Sequence, residues 1–386
     1  MKRTHLVVLA TLIVGTGCAG IIGVPDLSYD PAADAGVTGP KDGDATIPVP
    51  DPTQCGGANL AEDARNCGTC GRSCGAGACS GGVCQPFLLA DGIAGLGQLT
   101  LAGDSIYFAA SLGSTIQRVK KDGSGAPQSL VAPSRDEPIG VATNGTTLWY
   151  TAKNGLFRCT LEPTGCTGET ELTDHFLSRY VDLVGDSLVV ASQNTLYRFV
   201  DTTETPVDGS GNQFAWAVAQ TREWVYFTAD GYGVFRRAID GTGTTTKIAE
   251  RESDLRPNFI VVDGDRFFWA YKNARSGEGI VASATHDAPA NATIYTRKGV
   301  EPLGIAADAR YVYWSEVGTL IGDAYSAPAG NGRLLACPRG GCAGEPIVLA
   351  DKLQGGGVIV LDDGFVYFGE NNNYLANGRI RAVAKP

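Results

Sequence analysis

The sequence predicts an all-β protein: a seven-bladed β-propeller closed by its own N-terminal strand, preceded by a small disulfide-rich segment and a disordered tether. Three observations predict this. Residues 86–386 repeat one pattern seven times, as QLTLAGDSIYFAA (98–110), GVATNGTTLWYTA (140–152), YVDLVGDSLVVAS (180–192), WAVAQTREWVYFT (216–228), FIVVDGDRFFWAY (259–271), GIAADARYVYWSE (304–316) and VIVLDDGFVYFGE (358–370). A period of about 40 residues holding several short strands is a propeller signature. Six cysteines crowd residues 55–84 with almost no large apolar side chains between them. The seventh copy stops one strand short, and the residues before the first copy spell the missing strand.

Residues 1–17 read as an export signal. Lys2 and Arg3 give the positive start, and Leu6 to Val14 is an apolar run too short to span a bilayer. The run ends at Gly15-Thr16-Gly17-Cys18, which resembles a bacterial lipoprotein cleavage site. Gly15 departs from that pattern, which usually has a Leu-like residue there. The resemblance implies that Cys18 carries lipid and that the protein is held on the cell envelope, at the outer membrane or cell surface. The chain has 11 cysteines. Setting Cys18 aside leaves an even number, as disulfides in an oxidising compartment require. No later apolar run is long enough to span a bilayer.

Residues 18–54, after Cys18, are rich in Pro, Gly, Ala and Asp and read as a flexible linker. Asp42-Gly43-Asp44 lacks the further spaced ligands of a calcium loop and reads as linker too.

Residues 55–85 form the cysteine-rich segment, with Cys55, Cys67, Cys70, Cys74, Cys79 and Cys84. So small a segment has no core, so crosslinks must hold it. Cys67-x-x-Cys70 with Cys74 is also compatible with a zinc site, but export and the even count favour three disulfides. Their pairing is left open among the fifteen arrangements six cysteines allow. The stretch resembles the NCG-x-CG-x-x-C segments of predicted surface lipoproteins of myxobacteria, a resemblance that carries no activity with it.

Within residues 86–386 each repeat parses into four strands. In the first they are 97–102, 105–110, 115–120 and 128–132. Turns such as Gly103-Asp104, Asn144-Gly145, Gly185-Asp186 and Gly264-Asp265 supply the residue types tight hairpins need. The third strand recurs as GLFRCT, TLYRFV, GVFRRA, RLLACP and GRIRAV. Because GRIRAVAKP ends the chain as a third strand, and PFLLADGI matches the outer strand PIVLADKL, residues 86–90 are expected to pair with 379–383. The aromatic pairs, from Tyr107-Phe108 to Tyr367-Phe368, hold a fixed place in the second strand. That regularity reads as packing between blades rather than as a sugar platform. Cys159 with Cys166, and Cys337 with Cys342, flank third-to-outer hairpins and read as structural staples rather than redox switches.

The second strands, such as Tyr313-Trp314-Ser315-Glu316 and Trp149-Tyr150-Thr151-Ala152, resemble the YWTD propellers of lipoprotein receptors. Third strands such as Thr115-Ile116-Gln117-Arg118-Val119 followed by Lys121-Asp122-Gly123 add to the likeness. Those domains have six blades and end the motif in Asp, which is never present here. The resemblance implies a propeller of that style, with no shared ligand.

Chemistry is sparse. After the signal only His175 and His286 remain. No nucleophile elbow, phosphate loop or zinc-helix motif occurs, so no catalytic residue, metal or cofactor is expected. His175, beside Asp174 and Arg179, reads as a loop histidine. The net charge of −10 grows more negative when Lys2 and Arg3 leave, which argues against nucleic acid.

Function is therefore sought in the loops of one face. The distinctive ones are 315–332 (SEVGTLIGDAYSAPAGNG) and 369–378 (GENNNYLANG). The candidate binding residues are Tyr271, Lys272, Asn273, Arg275, Glu316, Asp323, Tyr325, Glu370, Asn371, Asn372, Asn373 and Tyr374. Amides beside aromatic rings suit glycans or polar peptides. The expectation is a non-enzymatic, monomeric envelope lipoprotein that binds an envelope protein or glycan. A propeller enzyme (lyase or glycan hydrolase) and a purely structural envelope component are the alternatives.

Overall fold

The computed structural model describes residues 55–131, 137–153, 155–175, 180–192, 195–208, 215–229, 233–250, 256–272, 278–318, 330–370 and 377–386. The expected signal, Cys18 and tether lie outside these residues. Among the described residues the fold is all β: seven four-stranded antiparallel sheets and a two-stranded ribbon, Cys79–Ser80 with Val83–Cys84.

Blade one consists of Leu96–Ala102, Ser105–Ala110, Thr115–Lys120 and Gln128–Ser129, running from axis to rim. Its outer strand is shorter than expected. Leu130 still bonds back to Ile116, and the Thr115 hydroxyl donates to Val131 O at 2.7 Å. Blades two to six follow the same order. Blade seven takes Ile359–Leu361, Phe365–Glu370 and Gly378–Ala384 from the end of the chain. Its outer strand is Phe87–Ile93. Phe87 pairs with Ala382, Leu88 with Arg381 and Ala90 with Ile380, the closure the repeat count requires. Glycines at φ of 55° to 59° (Gly103, Gly185, Gly264) turn the inner-to-second hairpins.

The inner strand bulges near its start in blades one, four, five and six. A bulge leaves a backbone N–H without its ladder partner. A hydroxyl on the second strand takes an N–H at this level in three blades. Gly140 donates to Thr151 Oγ1 (2.8 Å), Ala217 to Thr228 Oγ1 (3.1 Å) and Gly304 to Ser315 Oγ (3.0 Å). Ser315 then donates to Gly357 O of the next blade at 2.6 Å. In blade six the Ser of the YWTD-like motif thus joins blades.

The aromatic pairs are core. Apart from the partly exposed Trp149, every member is buried. Tyr226 of blade four stacks on Phe267 of blade five, with centroids 4.8 Å apart. The axis is crossed by side chains. Gln98 of blade one reaches blade three, donating to Val181 O (2.7 Å) and accepting from Val181 N (3.1 Å). Tyr180 of blade three meets Phe259 of blade five edge-on at 5.1 Å.

On the lower face, which carries the inner-to-second hairpins, the cation just after one third strand locks onto the preceding blade. Lys385 of blade seven pairs with Asp308 of blade six (2.8 Å), and Arg339 of blade six pairs with Asp263 and Asp265 of blade five. Lys121 of blade one pairs with Asp362 of blade seven. Asp308 and Asp362 also accept from Tyr313 and Tyr367 (3.0 and 2.7 Å). Burial raises the Asp308 carboxyl, but Lys385, the Tyr311 and Arg310 N–H groups and the Tyr313 hydroxyl together hold it at about 2. Burial first, then the Asp308 charge, pushes the Tyr313 hydroxyl well above its ordinary range.

All ten cysteines among the described residues are paired: Cys55–Cys70, Cys67–Cys79, Cys74–Cys84, Cys159–Cys166 and Cys337–Cys342. The last two staple the hairpins of blades two and six, as expected. Ten paired cysteines fit an exported protein.

Candidate functional site

The upper face carries the second-to-third loops and the connections from each outer strand to the next inner strand. Its rim is set by the residue two places after each second-strand aromatic. In blades one, two and four this is Ala110, Ala152 and Ala229, and in blade three it is Ser192. Blades five to seven replace it with Tyr271, Glu316 and Glu370, each 2% exposed. Buried carboxylates persist only when paired and hydrogen-bonded, and both glutamates are. Glu316 Oε2 accepts from Arg333 Nε (3.1 Å) and Nη2 (2.6 Å), and Oε1 accepts from Trp314 Nε1 (3.3 Å). Glu370 Oε1 accepts from Arg381 Nη1 (3.1 Å), and Oε2 from the Gln354 N–H (2.8 Å).

These pairs sit where loops leave and return. Glu316 is the last residue of its strand, and Arg333 faces it across the ladder on the returning strand. Glu370 enters the loop that Arg379 and Arg381 leave, and Arg379 Nε reaches Asp91 Oδ1 of the closing strand at 3.1 Å. That contact, with the Gly92 N–H, lowers the Asp91 carboxyl pKa. In blade five, Lys272 Nζ lies 3.5 Å from Glu301, which is 6% exposed and held at φ 51°, left-handed for a non-glycine residue. Trp269 has the place of Trp314, but Tyr271 replaces the glutamate acceptor. Its buried Nε1 has no hydrogen-bond partner among the described residues.

The expected site residues therefore divide in two. Tyr271, Glu316 and Glu370 are buried at the loop bases, and Lys272 is turned toward Glu301. Asn273, Arg275, Asp323, Tyr325, Asn371, Asn372, Asn373 and Tyr374 lie outside the described residues, as does Cys18. Sequence reading missed Arg333, Arg381 and Glu301. The only signal was an Arg directly after Gly332 and Gly378: it marks Arg333 and Arg379, while Arg381 lies two residues further along its strand and nothing marked Glu301.

Both histidines among the described residues are engaged in packing. His175 stacks on Tyr197 at 4.0 Å between centroids and its Nε2 lies 2.8 Å from Glu204, at the outer edge of blade three. His286 Nδ1 is 2.7 Å from the Tyr226 hydroxyl, and Nε2 is 3.1 Å from Gly264 O, on the lower face. At the upper end of the axis the inner strands present Gly97, Gly140, Val181, Ala217, Gly304 and Gly357 beside Gln98 and Phe259. A Cβ at Gly304 would stand 2.1 Å from Gly357 O, so only glycine lets blades six and seven approach this closely.

The chain is thus a seven-bladed β-propeller whose loops on three adjacent blades are tied at their bases by buried charge. No family model matches it, and no curated protein matches it in sequence. Solved structures share the fold. Virginiamycin B lyase from Staphylococcus aureus is 12% identical with a TM-score of 0.57, covering 78% of this chain and 98% of that one. YCF48 bound to D1 peptide is 13% identical with a TM-score of 0.57, covering 78% and 95%. The WD40 propeller domain of Doa1 is 10% identical with a TM-score of 0.59, covering 77% and 96%. At these identities the likeness is one of fold alone.

Proposed function

We propose that the protein is a lipid-anchored envelope lipoprotein, of the kind its cysteine-rich segment resembles in myxobacteria. Its propeller binds a protein or glycan through the upper-face loops of blades five to seven and catalyses no reaction. The observation that carries this is the replacement of the rim alanines by Glu316 and Glu370, each tied to an arginine beyond the loop it opens. Buried ion pairs are costly to assemble and fix geometry more than they stabilise. Placed at loop bases, they fix where the chain leaves blades six and seven and where it returns. A non-enzymatic reading is supported by described histidines committed to packing and by inner strands that present glycine and small apolar residues at the upper end of the axis, beside Gln98 and Phe259. Propellers of this fold include one solved with a bound peptide, YCF48.

The test is affinity capture from envelope extract with the mature chain, followed by mass spectrometry. Tyr325→Ala, Asn372→Ala and Tyr374→Ala together are expected to abolish capture without moving the thermal midpoint. Capture that survives the triple substitution places the site elsewhere. The anchor is tested separately, by Cys18→Ser, which is expected to leave the precursor unprocessed.

A further inference from the structure

Cys67, Cys74 and Cys84 of the N-terminal knot are buried against Ala384, the last residue of blade seven's third strand, with Phe365 packed beside them. Phe365 is the register partner of Ala384. Arg72 Nε donates to Lys385 O at 3.1 Å. A Cβ at Gly75 (φ 62°) would stand 2.8 Å from Phe365 Cζ, so glycine lets the knot backbone rest on that ring. The same ring meets Phe87 edge-on at 6.0 Å. Phe87 opens the strand that closes the propeller. The knot therefore covers the lower end of both strands that meet at the seam, Phe87–Ile93 and Gly378–Ala384.

We infer that the knot is a redox-sensitive clasp on the ring, holding residues 87–93 against 378–384 while Cys67–Cys79 and Cys74–Cys84 are intact and releasing them when those bonds are reduced. A segment of this size without an apolar core keeps its shape only through its crosslinks. Losing them removes the surface that docks on Phe365 and Ala384, and leaves the seam to its strand ladder. A dithiol reductant supplies the step: each protein disulfide takes two electrons and two protons to give two thiols, and the reductant closes to its own disulfide. Cys70 is exposed whereas Cys74 and Cys84 are buried, so Cys55–Cys70 opens first and the clasp bonds later. Cys159–Cys166 and Cys337–Cys342 lie in blades two and six, outside the two strands of the seam.

Hydrogen exchange of the mature chain, read by mass spectrometry, tests this. In Cys74→Ser/Cys84→Ser, and in wild type treated with a dithiol, exchange across 87–93 and 378–384 should accelerate by about 10-fold or more, and by clearly more than across 215–220 of blade four. Cys159→Ser/Cys166→Ser should leave the seam protected. Seam exchange that stays slow with the bonds shown absent by mass overturns the clasp. So does an equal acceleration in every blade. If the serine variant does not fold, Arg72→Ala with Gly75→Ala makes the same test with all disulfides intact: a loosened seam supports the clasp and an unchanged one overturns it.

Discussion

Lys121 Nζ lies 3.2 Å from Asp362 Oδ2, joining the first blade to the seventh across the seam. It stands where Lys385 stands toward Asp308, so the repeat's own contact is continued across the break in the chain. Both side chains are less than a third exposed, at 20% and 28%. Lys121→Met keeps the stem and removes the charge. It is expected to cost about 1 kcal/mol or less, read as a lowered urea midpoint with an unchanged slope.

Deleting residues 86–90 removes the partners of Ala382, Arg381 and Ile380 and exposes blade seven as an open edge. The whole ring should lose stability in one transition, seen as a lower thermal midpoint by both near- and far-UV circular dichroism. An unchanged midpoint would contradict the closure.

The Asp182 carboxyl is raised to about 6 by desolvation, partly offset by the Gln220 and Leu183 N–H groups. Its folded pKa lies above the unfolded value of 3.8. Between these values the folded state binds more protons than the unfolded one, so this group's contribution falls as pH rises from about 4 to 6. Asp182→Asn should remove that slope. The thermal midpoint of the variant relative to wild type is expected to climb across the window and to be flat above it.

Glu316→Gln removes the charge that Arg333 meets. Arg333 is 43% exposed and can turn to solvent, so the expected loss is about 1–2 kcal/mol rather than that of a fully buried pair. Chemical denaturation measures it.

Gly304→Ala forces a Cβ against a backbone carbonyl of the next blade, with no flexible side chain to yield. A loss on the order of 3 kcal/mol is expected in the same measurement.

Much of the fold was legible because a propeller repeats its instructions. Tyr107-Phe108, Tyr226-Phe227 and Tyr367-Phe368 mark the same strand in different blades. PFLLADGI could be matched to PIVLADKL by eye, and Phe87 does pair with Ala382. What does not repeat was not legible. The pairing Cys55–Cys70, Cys67–Cys79, Cys74–Cys84 follows no period and is set by a three-dimensional path. Glu316 and Arg333 are separated by a long loop, and only the ladder register brings them face to face. Gln98 ties blade one to Val141 of blade two and Val181 of blade three at once, which strand patterning cannot show. At the candidate site the sequence picked out two departures from the repeat, Glu316 and Glu370, which the structure buries at the loop bases. Their neutralising arginines were hidden inside segments already read as ordinary strands.

Seen without its seam, the propeller is a circle cut once, with the cut placed inside blade seven. Arg381 reaches back to Pro86 over a separation of 295 residues, so the propeller's first strand must wait for its last. Contacts that distant form slowly. A chain folding from its N-terminal side would hold six finished blades and one unmatched edge, and each molecule stays exposed to mispairing until residues 378–384 arrive. Moving the cut to a hairpin between blades would leave every strand with its own neighbour in sequence and shorten that interval.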